Sequence, residues 1–197
     1  MITLRLARET DAEAILSIYG PYIRDTAVTF ECEVPTAEAF ARRIREISED
    51  YPYLACETEG ALIGYGYAHR HMERSAYQWN AELSIYIARG WLRRGVGRAI
   101  HNALEGILCL QNVRTVYGGV TLPNPNSEGL IASLGFDRVG VYHNAGFKCG
   151  RWHDVAWFEK AIGDYGEDPA PFLPFRLLPE DKVAEVLKGC NEALRTG

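Results

Sequence analysis

The pattern of hydrophobic and polar positions predicts seven β-strands along the chain. Two of them form a hairpin over 53–70 that turns at Glu59-Gly60, a favourable pair for a tight turn. The pattern is strongest over 76–88. The remaining strands are expected at 2–7, 114–120, 137–150 and 151–160.

Helical spacing predicts five helices. Thr10 and Glu13 form a candidate capping box at the start of the first, and Pro35-Thr36 opens the second. The expected ranges are 10–24, from 35 onward with Phe40, Ile44 and Ile47 on one stripe, 97–110, 125–136, and from 179 onward. The segment 27–34 is expected to be a loop or a short strand. Strands and helices in this order favour a mixed sheet and the α/β or α+β class.

Length and composition are those of a globular protein. The 197 residues, 47% of them hydrophobic, suffice for one domain or one domain with an appendage. We expect a domain over 1–162, followed over 163–197 by a proline-rich acidic arm and a C-terminal helix.

Charge and cysteine usage narrow the functional classes. The net charge of −5 argues against a protein that binds nucleic acid without regard to its base sequence. The five cysteines are widely spaced, and no two of them form a CxxC pair. This usage indicates reduced thiols rather than disulfides or a zinc site. No apolar run has the length of a membrane span or a signal-peptide core. We therefore expect a cytoplasmic protein with no metal, nucleic-acid partner or membrane contact.

A glycine- and arginine-rich turn follows the strongest strand. In the segment RGWLRRGVGRAI (89–100), glycines at 95 and 97 allow the backbone to approach a ligand closely. The first amides of the next helix lack helical partners and, with the helix dipole, favour a pyrophosphate. The alternative is an ordinary turn between a strand and a helix, whose basic side chains are simply exposed to solvent. Four arginines accompany the turn: Arg89, Arg93, Arg94 and Arg98.

This arrangement resembles the GNAT acetyltransferase superfamily. The chain follows that family's order of elements: a long strand, RRGVGRA at the start of a helix, another strand, and an asparagine-containing turn before a helix that ends in LGF. The segment 92–97 matches its Q/R-x-x-G-x-G/A turn except at Leu92. The resemblance implies an α/β fold in which helices flank a central mixed, mostly antiparallel sheet.

The same resemblance implies acetyl-CoA as co-substrate. Its pyrophosphate would lie on the turn, its pantetheine and acetyl group along the strand backbone, and an asparagine would contact it. Asn124 is the preferred asparagine and Asn126 the alternative, although both could simply be turn or cap residues. The implied cofactor-binding residues are Ile85, Tyr86, Ile87, Arg93, Arg94, Gly95, Val96, Gly97, Arg98 and Asn124.

Four further segments resemble the phosphinothricin and methionine-sulfoximine N-acetyltransferases. They are YIRDTAVTFE, RSAYQWNAELSIYI, LPNPNSEGLIASLGF and AGFKCGRWHDVAWFEK, the last of which is the most specific. The resemblance covers about residues 2–162 and implies acetyl transfer to the α-amine of a small amino-acid analogue. Transfer would occur by direct attack in a ternary complex.

Glu82 matches the family's catalytic glutamate. The attacking amine must lose a proton, so a base within reach is needed, although a carboxylate has an ordinary pKa of only about 4.3. The alternative is a half-exposed glutamate in a cross-strand ion pair. Strand periodicity places Glu82, Ser84 and Tyr86 on one face. Ile131 occupies the position where related enzymes carry a Tyr or His general acid, so no acid is expected there.

For the acceptor, the resemblance implies four substrate-binding residues, Phe30, Glu31, Arg74 and Tyr77. Arg74 could instead be a surface arginine in a charged loop, and Met72 stands where the subfamily often has Lys or Arg. The resemblance also implies a homodimer in which the C-terminal strands and the acceptor site lie near the interface. Two alternatives stay open: a GNAT enzyme for another amine (peptide N-terminus, polyamine or aminoglycoside), and a non-catalytic CoA-binding domain.

Overall fold

The structure is a computed structural model that describes residues 1–196, with side chains through residue 194. The helices are α1 (Ala12–Asp25), α2 (Ala37–Asp50), α3 (Val96–Leu110), α4 (Pro125–Ser133) and α5 (Glu180–Thr196). The strands are β1 (Ile2–Leu6), β2 (Tyr53–Thr58), β3 (Ala61–Arg70), β4 (Asn80–Ile87), β5 (Thr115–Thr121), β6 (Asp137–Lys148) and β7 (Arg151–Ala161).

The seven strands form one sheet in the order β1-β2-β3-β4-β5-β7-β6. Every neighbouring pair is antiparallel except β4 and β5, which run parallel and are joined through α3. The predicted mixed, mostly antiparallel sheet with helices is confirmed.

Helices cover both faces of the sheet. On one face α3 and α5 pack over a core that includes Ile87 and Ile100, with Leu83 and Ile85 against it. On the other face α1 and α2 cover a tyrosine-rich core against which Tyr86 packs. Leu83, Ile85 and Ile87 thus pack on one face of the sheet and Tyr86 on the other, which confirms the predicted alternation of β4 side chains. Apolar residues on both faces are removed from water.

Two local predictions are wrong. The Thr10–Glu13 capping box does not form: a short 3-10 turn spans Glu9–Asp11, and the Asp11 carboxylate accepts from the Arg8 amide at 2.7 Å. The strand predicted from residue 76 begins at Asn80, because Ser75–Tyr77 forms a 3-10 turn. By contrast, α2 begins directly after Pro35-Thr36 as expected, and the Thr36 hydroxyl caps it by accepting from the Ala39 amide at 3.1 Å.

The segment after residue 162 packs on the same cores. Phe172 lies 5.0 Å from Tyr51 between ring centres, and the Leu173 amide donates to the carbonyl of Gln111. On α5, the Asn191 side chain accepts from the Leu4 amide at 2.7 Å and donates to the Leu4 carbonyl at 3.0 Å. The division of the chain at 162 stays a prediction. Among residues 1–196, no helix combines the length and apolar character required to cross a bilayer.

Candidate active site

The central feature of the site is a cleft between β4 and β5. These strands pair only where Asn80–Glu82 meets Thr115–Tyr117, and then they diverge. Residues 83–86 line one wall, 118–121 line the other, and the cleft has a volume of about 440 Å³. Beyond the last paired residues, this edge of β4 is no longer paired with β5. Amide donors on such an open edge suit developing negative charge.

Five of the predicted site residues line this cleft: Phe30, Glu82, Ile85, Tyr86 and Asn124. They come from three separate stretches of chain, which the sheet and α4 bring together. Ile131 also lines the cleft, and a Cβ at Gly118 would lie 3.3 Å from its side chain. The position at which the resemblance implied a general acid in related enzymes is therefore on the cleft wall, and here it holds an apolar residue.

Glu82 lies between two histidines, His69 and His71, that were not among the predicted site residues. His71 Nδ1 is 3.4 Å from one carboxylate oxygen, and His69 Nε2 is 3.9 Å from the other. His71 stacks on Tyr117 with ring centres 4.1 Å apart and planes 8° apart. The His-x-His spacing at the end of β3 was the available signal, but Arg70 and Glu73 made the segment resemble a solvated charged loop.

The glycine-rich turn lines a second, adjoining cleft of about 390 Å³. Gly95 caps α3 with φ +76°, a backbone conformation that favours glycine. A Cβ at Gly97 would lie 3.0 Å from the Leu130 side chain, and Leu130 lines both clefts. The first turn of α3 contains no acidic residue, so its free amides retain their attraction for an anion.

The four arginines of the turn divide into two pairs. Arg93 and Arg98 line the second cleft, donating to the Asn126 side chain at 3.1 Å and to Ser133 Oγ at 2.9 Å respectively. Arg94 lies over the Trp91 ring, and Arg89 pairs with Asp25. Two further predicted residues also belong to this region: Ile87 lines the second cleft and Val96 is buried beside it.

Asn124 and Asn126 have different neighbours. Asn124 caps α4, its side-chain oxygen accepting from the Ser127 amide at 3.2 Å, and it faces the main cleft. Asn126 lies on the second cleft beside Arg93. Each asparagine therefore has both a local structural role and a position from which it could contact a ligand.

The loop before α2 reaches the cleft through Phe30. Its ring packs on the backbone of Gly146, where a Cβ would lie 2.6 Å from the ring. The buried Lys148 ammonium donates to the carbonyls of Thr29 at 2.7 Å and Glu31 at 2.6 Å. The Glu31 carboxylate itself accepts from Arg43 at 2.7 Å. The loop is thus attached to β6 on either side of Phe30.

These contacts explain much of the GFK-x-G-x-WHDV pattern. Gly146 leaves room for Phe30, and Lys148 holds the neighbouring carbonyls. The His153 ring lies 3.0 Å from the Lys148 carbonyl oxygen through Nε2. Asp154 accepts from the Asn144 amide at 2.8 Å and orders the irregular part of β6. The sequence identified the motif, but its contacts became visible only in the structure.

Arg74 and Tyr77 lie in the exposed turn before β4 and are not among the cleft-lining residues that the structure describes. Those lining residues include no Lys or Arg; Glu82 and His101 are the carboxylate and imidazole among them. Burial lowers the pKa of His101 to about 4, although Glu105 lies 2.9 Å away and opposes the shift. Within residues 1–196, no cluster of His, Cys, Asp or Glu is arranged to hold a metal ion.

Comparison with known proteins gives consistent matches. The family model for the acetyltransferase (GNAT) domain matches residues 4–157. The phosphinothricin N-acetyltransferase of Alcaligenes faecalis is 37% identical over 81% of this chain and 82% of its own. The enzyme of the same name from Streptomyces viridochromogenes is 31% identical, covering 89% and 93%. The crystal structure of a Sinorhizobium meliloti phosphinothricin acetyltransferase with AcCoA superposes with a TM-score of 0.81 at 31% identity, covering 89% and 98%.

Proposed function

The chain belongs to the GNAT acetyltransferase family, and from this premise we propose that it transfers acetyl from acetyl-CoA to the α-amine of a small amino-acid analogue. The acceptor is of the phosphinothricin, methionine sulfoximine or methionine sulfone type. The observation that carries the proposal is the open cleft between β4 and β5, with Glu82 on its wall and the glycine-rich turn next to it. The related proteins named above support the acceptor class.

The two adjoining clefts fit the two ends of acetyl-CoA. The amides of 95–98, with Arg93 and Arg98 beside them, would hold the pyrophosphate. The pantetheine and acetyl group would lie along Ile85–Ile87, with Asn124 across the cleft. The Ile87 carbonyl already accepts from the Tyr22 hydroxyl at 2.7 Å, so the β4 amides are the better candidates for holding the ligand.

The chemistry follows from this placement. Glu82 takes a proton from the acceptor's ammonium, and the neutral amine attacks the thioester carbonyl. Backbone amides of β4 stabilise the oxyanion of the tetrahedral intermediate. Collapse breaks the C–S bond, and the proton lost from the new amide nitrogen goes to the thiolate. An ordinary thiol pKa of about 8.5 makes this a tolerable leaving group without an acid at Ile131.

At the acceptor end, Phe30 forms the apolar wall. Arg74 and Tyr77 remain our candidates for holding the acceptor's anionic groups, with Glu31 at the edge of the loop. Because Arg74 and Tyr77 lie outside the cleft walls of their own chain, this role requires movement of their turn or a second copy of the chain.

We also propose a homodimer formed through the β6–β7 hairpin at the edge of the sheet. Four large apolar side chains there are 56–61% exposed, namely Val139, Tyr142, Phe147 and Trp152. Tyr142 also lines the main cleft, so such an interface would lie at the mouth of the site. Free thiols throughout the described chain support a cytoplasmic location. Sedimentation at micromolar concentration tests the dimer, and a monomer under these conditions would contradict it.

One observation favours the alternative of another amine acceptor. A cleft whose described lining carries Glu82 but no Lys or Arg suits a cationic acceptor as well as an amino acid. A thiol-release assay with acetyl-CoA separates the two. We expect turnover with phosphinothricin, methionine sulfoximine or methionine sulfone; turnover confined to polyamines, aminoglycosides or peptides would overturn the acceptor class.

The assignment of Glu82 has its own test. Glu82→Gln keeps the size and hydrogen bonding of the side chain but not its basicity, so kcat should fall by roughly 10²-fold or more. Acetyl-CoA binding, measured by calorimetry, should persist. Glu46→Gln, on the exposed face of α2, is the matched control and should behave as the unmodified chain. Near-normal turnover of Glu82→Gln would show that Glu82 is not the base.

A further inference from the structure

We propose that the acyl site extends beyond acetyl, so that the enzyme also transfers short uncharged acyl groups, such as propionyl, from their CoA thioesters to the same amine. This inference rests on the proposed function, because it assumes that acetyl-CoA lies along β4 as described above. Its basis is the inner part of the main cleft, which continues between the strands into an apolar pocket on the face of the sheet that α3 covers.

The main cleft reaches both faces of the sheet. Strand alternation places Glu82 and Ser84 on one face and Leu83 and Ile85 on the other, and all four residues line the cleft. Leu83 and Ile85 pack against the core beneath α3, whereas Tyr86, on the face of Glu82, packs beneath α1 and α2. The gap between β4 and β5 therefore connects the side that carries Glu82 to a space on the α3 face.

That space, which we call the inner pocket, is lined by residues that are themselves buried. They come from α3, from β5, and from the segment that joins α4 to β6. None of them is more than 9% exposed, so they mark the interior end of the cleft rather than its mouth. The five residues are His101, Gly118, Val120, Leu134 and Phe136.

The inner pocket lies toward the closed end of the cleft, where β4 and β5 begin to separate. Gly118 follows directly after the last residue of β5 that pairs with β4, and Ile131 lies over it, 3.3 Å from where a Cβ would stand. Leu134 is three residues further along the chain than Ile131, which is about 4.5 Å along the axis of α4. A pantetheine that lies along Ile85–Ile87 therefore directs its acyl group toward the inner pocket.

The inner pocket suits an uncharged alkyl group. Val120, Leu134 and Phe136 have side chains of carbon alone, and the His101 ring lies against Phe136 with ring centres 5.4 Å apart. Burial lowers the pKa of His101 to about 4, so its imidazole is neutral at neutral pH. The Glu105 carboxylate lies 2.9 Å from His101 Nε2, and the described lining of the cleft holds neither Lys nor Arg. An extra methyl would lose contact with water there, whereas a carboxylated acyl group would bury a charge without a cation.

The transfer of propionyl balances as the transfer of acetyl does. The amine nitrogen forms a bond to the propionyl carbonyl carbon, the C–S bond breaks, and the sulfur leaves with the electron pair as a thiolate. The acceptor's ammonium loses two protons: one passes through Glu82 to water, and the thiolate takes the other. The products are an N-propionyl amide, the free CoA thiol and one proton.

Donor choice is tested by thiol release from acetyl-CoA, propionyl-CoA and succinyl-CoA, each with the amine that acetyl-CoA acetylates fastest. The three donors release the same thiol, so one readout compares them. We expect kcat/KM for propionyl-CoA to lie within about fivefold of the acetyl-CoA value, because a site closed behind the acetyl group would reject an extra methylene by roughly 10- to 200-fold. For succinyl-CoA it should be roughly 10²-fold lower, because its carboxylate finds no cation.

Two substitutions change the wall of the cleft by one methyl in opposite directions. Gly118→Ala adds a methyl beside Ile131 and should lower the propionyl-to-acetyl ratio of kcat/KM by roughly tenfold. Ile131→Val removes Cδ1, the atom that lies over Gly118, and should keep or raise that ratio. Gly189→Ala, at an open and exposed position on α5, is the matched control and should leave both rates unchanged.

The inference is overturned if propionyl-CoA is used more than about fivefold less well than acetyl-CoA, or if succinyl-CoA is used as well as propionyl-CoA. It is also overturned if folded Gly118→Ala keeps the ratio of the unmodified enzyme, or if folded Ile131→Val lowers that ratio. If both donors serve but only polyamines, aminoglycosides or peptides react, the acceptor class fails and the inner pocket stands. If the amino-acid analogues react with acetyl-CoA alone, the proposed function stands and the inner pocket fails as an acyl site.

Discussion

Replacing Lys148 with Met should detach the Phe30 loop from the sheet. The Lys148 ammonium is buried at the end of β6, with 8% of the residue exposed, and donates to the carbonyls of Thr29 and Glu31. Met keeps most of the apolar stem and removes only the cation. The substitution therefore isolates the two hydrogen bonds that lie on either side of Phe30.

The magnitude follows from opposing contributions. Hydrogen bonds to a charged group are worth about 1.5–3 kcal/mol each, so two represent roughly 3–6 kcal/mol. Removing a buried cation also removes its desolvation cost, which offsets part of that loss. The Thr29 carbonyl belongs to a buried residue and loses its ammonium partner, whereas Glu31 is half-exposed and its carbonyl is better placed to regain water. We expect a net loss of about 2–3 kcal/mol in the free energy of unfolding.

Urea unfolding measures this loss as a lower midpoint at unchanged slope. The KM for the acceptor should rise because Phe30 lines the cleft, while the KM for acetyl-CoA should stay within twofold. Lys182→Met is the matched control: its ammonium is exposed, pairs with Glu185 one turn away, and should cost less than about 0.5 kcal/mol. If Lys148→Met costs no more than Lys182→Met, the two carbonyl contacts do not hold the loop.

Three further predictions test other parts of the structure. Gly146→Ala places a methyl 2.6 Å from the Phe30 ring and should raise the acceptor KM several-fold without changing acetyl-CoA binding; an unchanged KM would contradict the contact. In Gly66→Ala the new methyl would lie 2.6 Å from an α3 side chain, so the free energy of unfolding should fall by about 1–3 kcal/mol. Gly129 has open space around it and a helical backbone, so Gly129→Ala should be neutral or stabilising. Because burial lowers the pKa of His101 to about 4, the unfolded chain binds more protons between pH 6.5 and 4, so stability should fall across that window as pH falls. His101→Gln should flatten that slope in urea titrations, and an unaltered slope would exclude His101 as its source.

The sequence predicted most of the fold because its signals are local. Strand-like runs of residues located all seven strands, and α2 begins directly after Pro35-Thr36 as expected. The two errors have physical causes. Asp11 took the capping role expected near Thr10 because its carboxylate reaches the Arg8 amide. The segment before Asn80 curls into a 3-10 turn, and the Trp79 indole donates to Ala170, far along the chain.

The candidate site was predicted in part, because its residues were chosen one segment at a time. Glu82, on a strand, and Phe30, in a loop, line the cleft, and each could be chosen from its own segment. His71 was not identified, because its meaning depends on Tyr117 and Glu82, which only strand register brings beside it. Lys148 was visible within a motif, but its acceptors lie 117–119 residues away.

The contact between Asn191 and Leu4 has a consequence for synthesis of the protein. β1 lies at the border of the sheet, where an uncovered strand edge can recruit another chain. The Asn191 amide meets both backbone groups of Leu4, as a neighbouring strand would, across 187 residues of sequence. A ribosome must therefore make the chain through Asn191 before this edge is covered. During that interval β1 of the nascent chain has an uncovered edge to which another strand can bind. Chains interrupted before Asn191 would be prone to edge-to-edge aggregation.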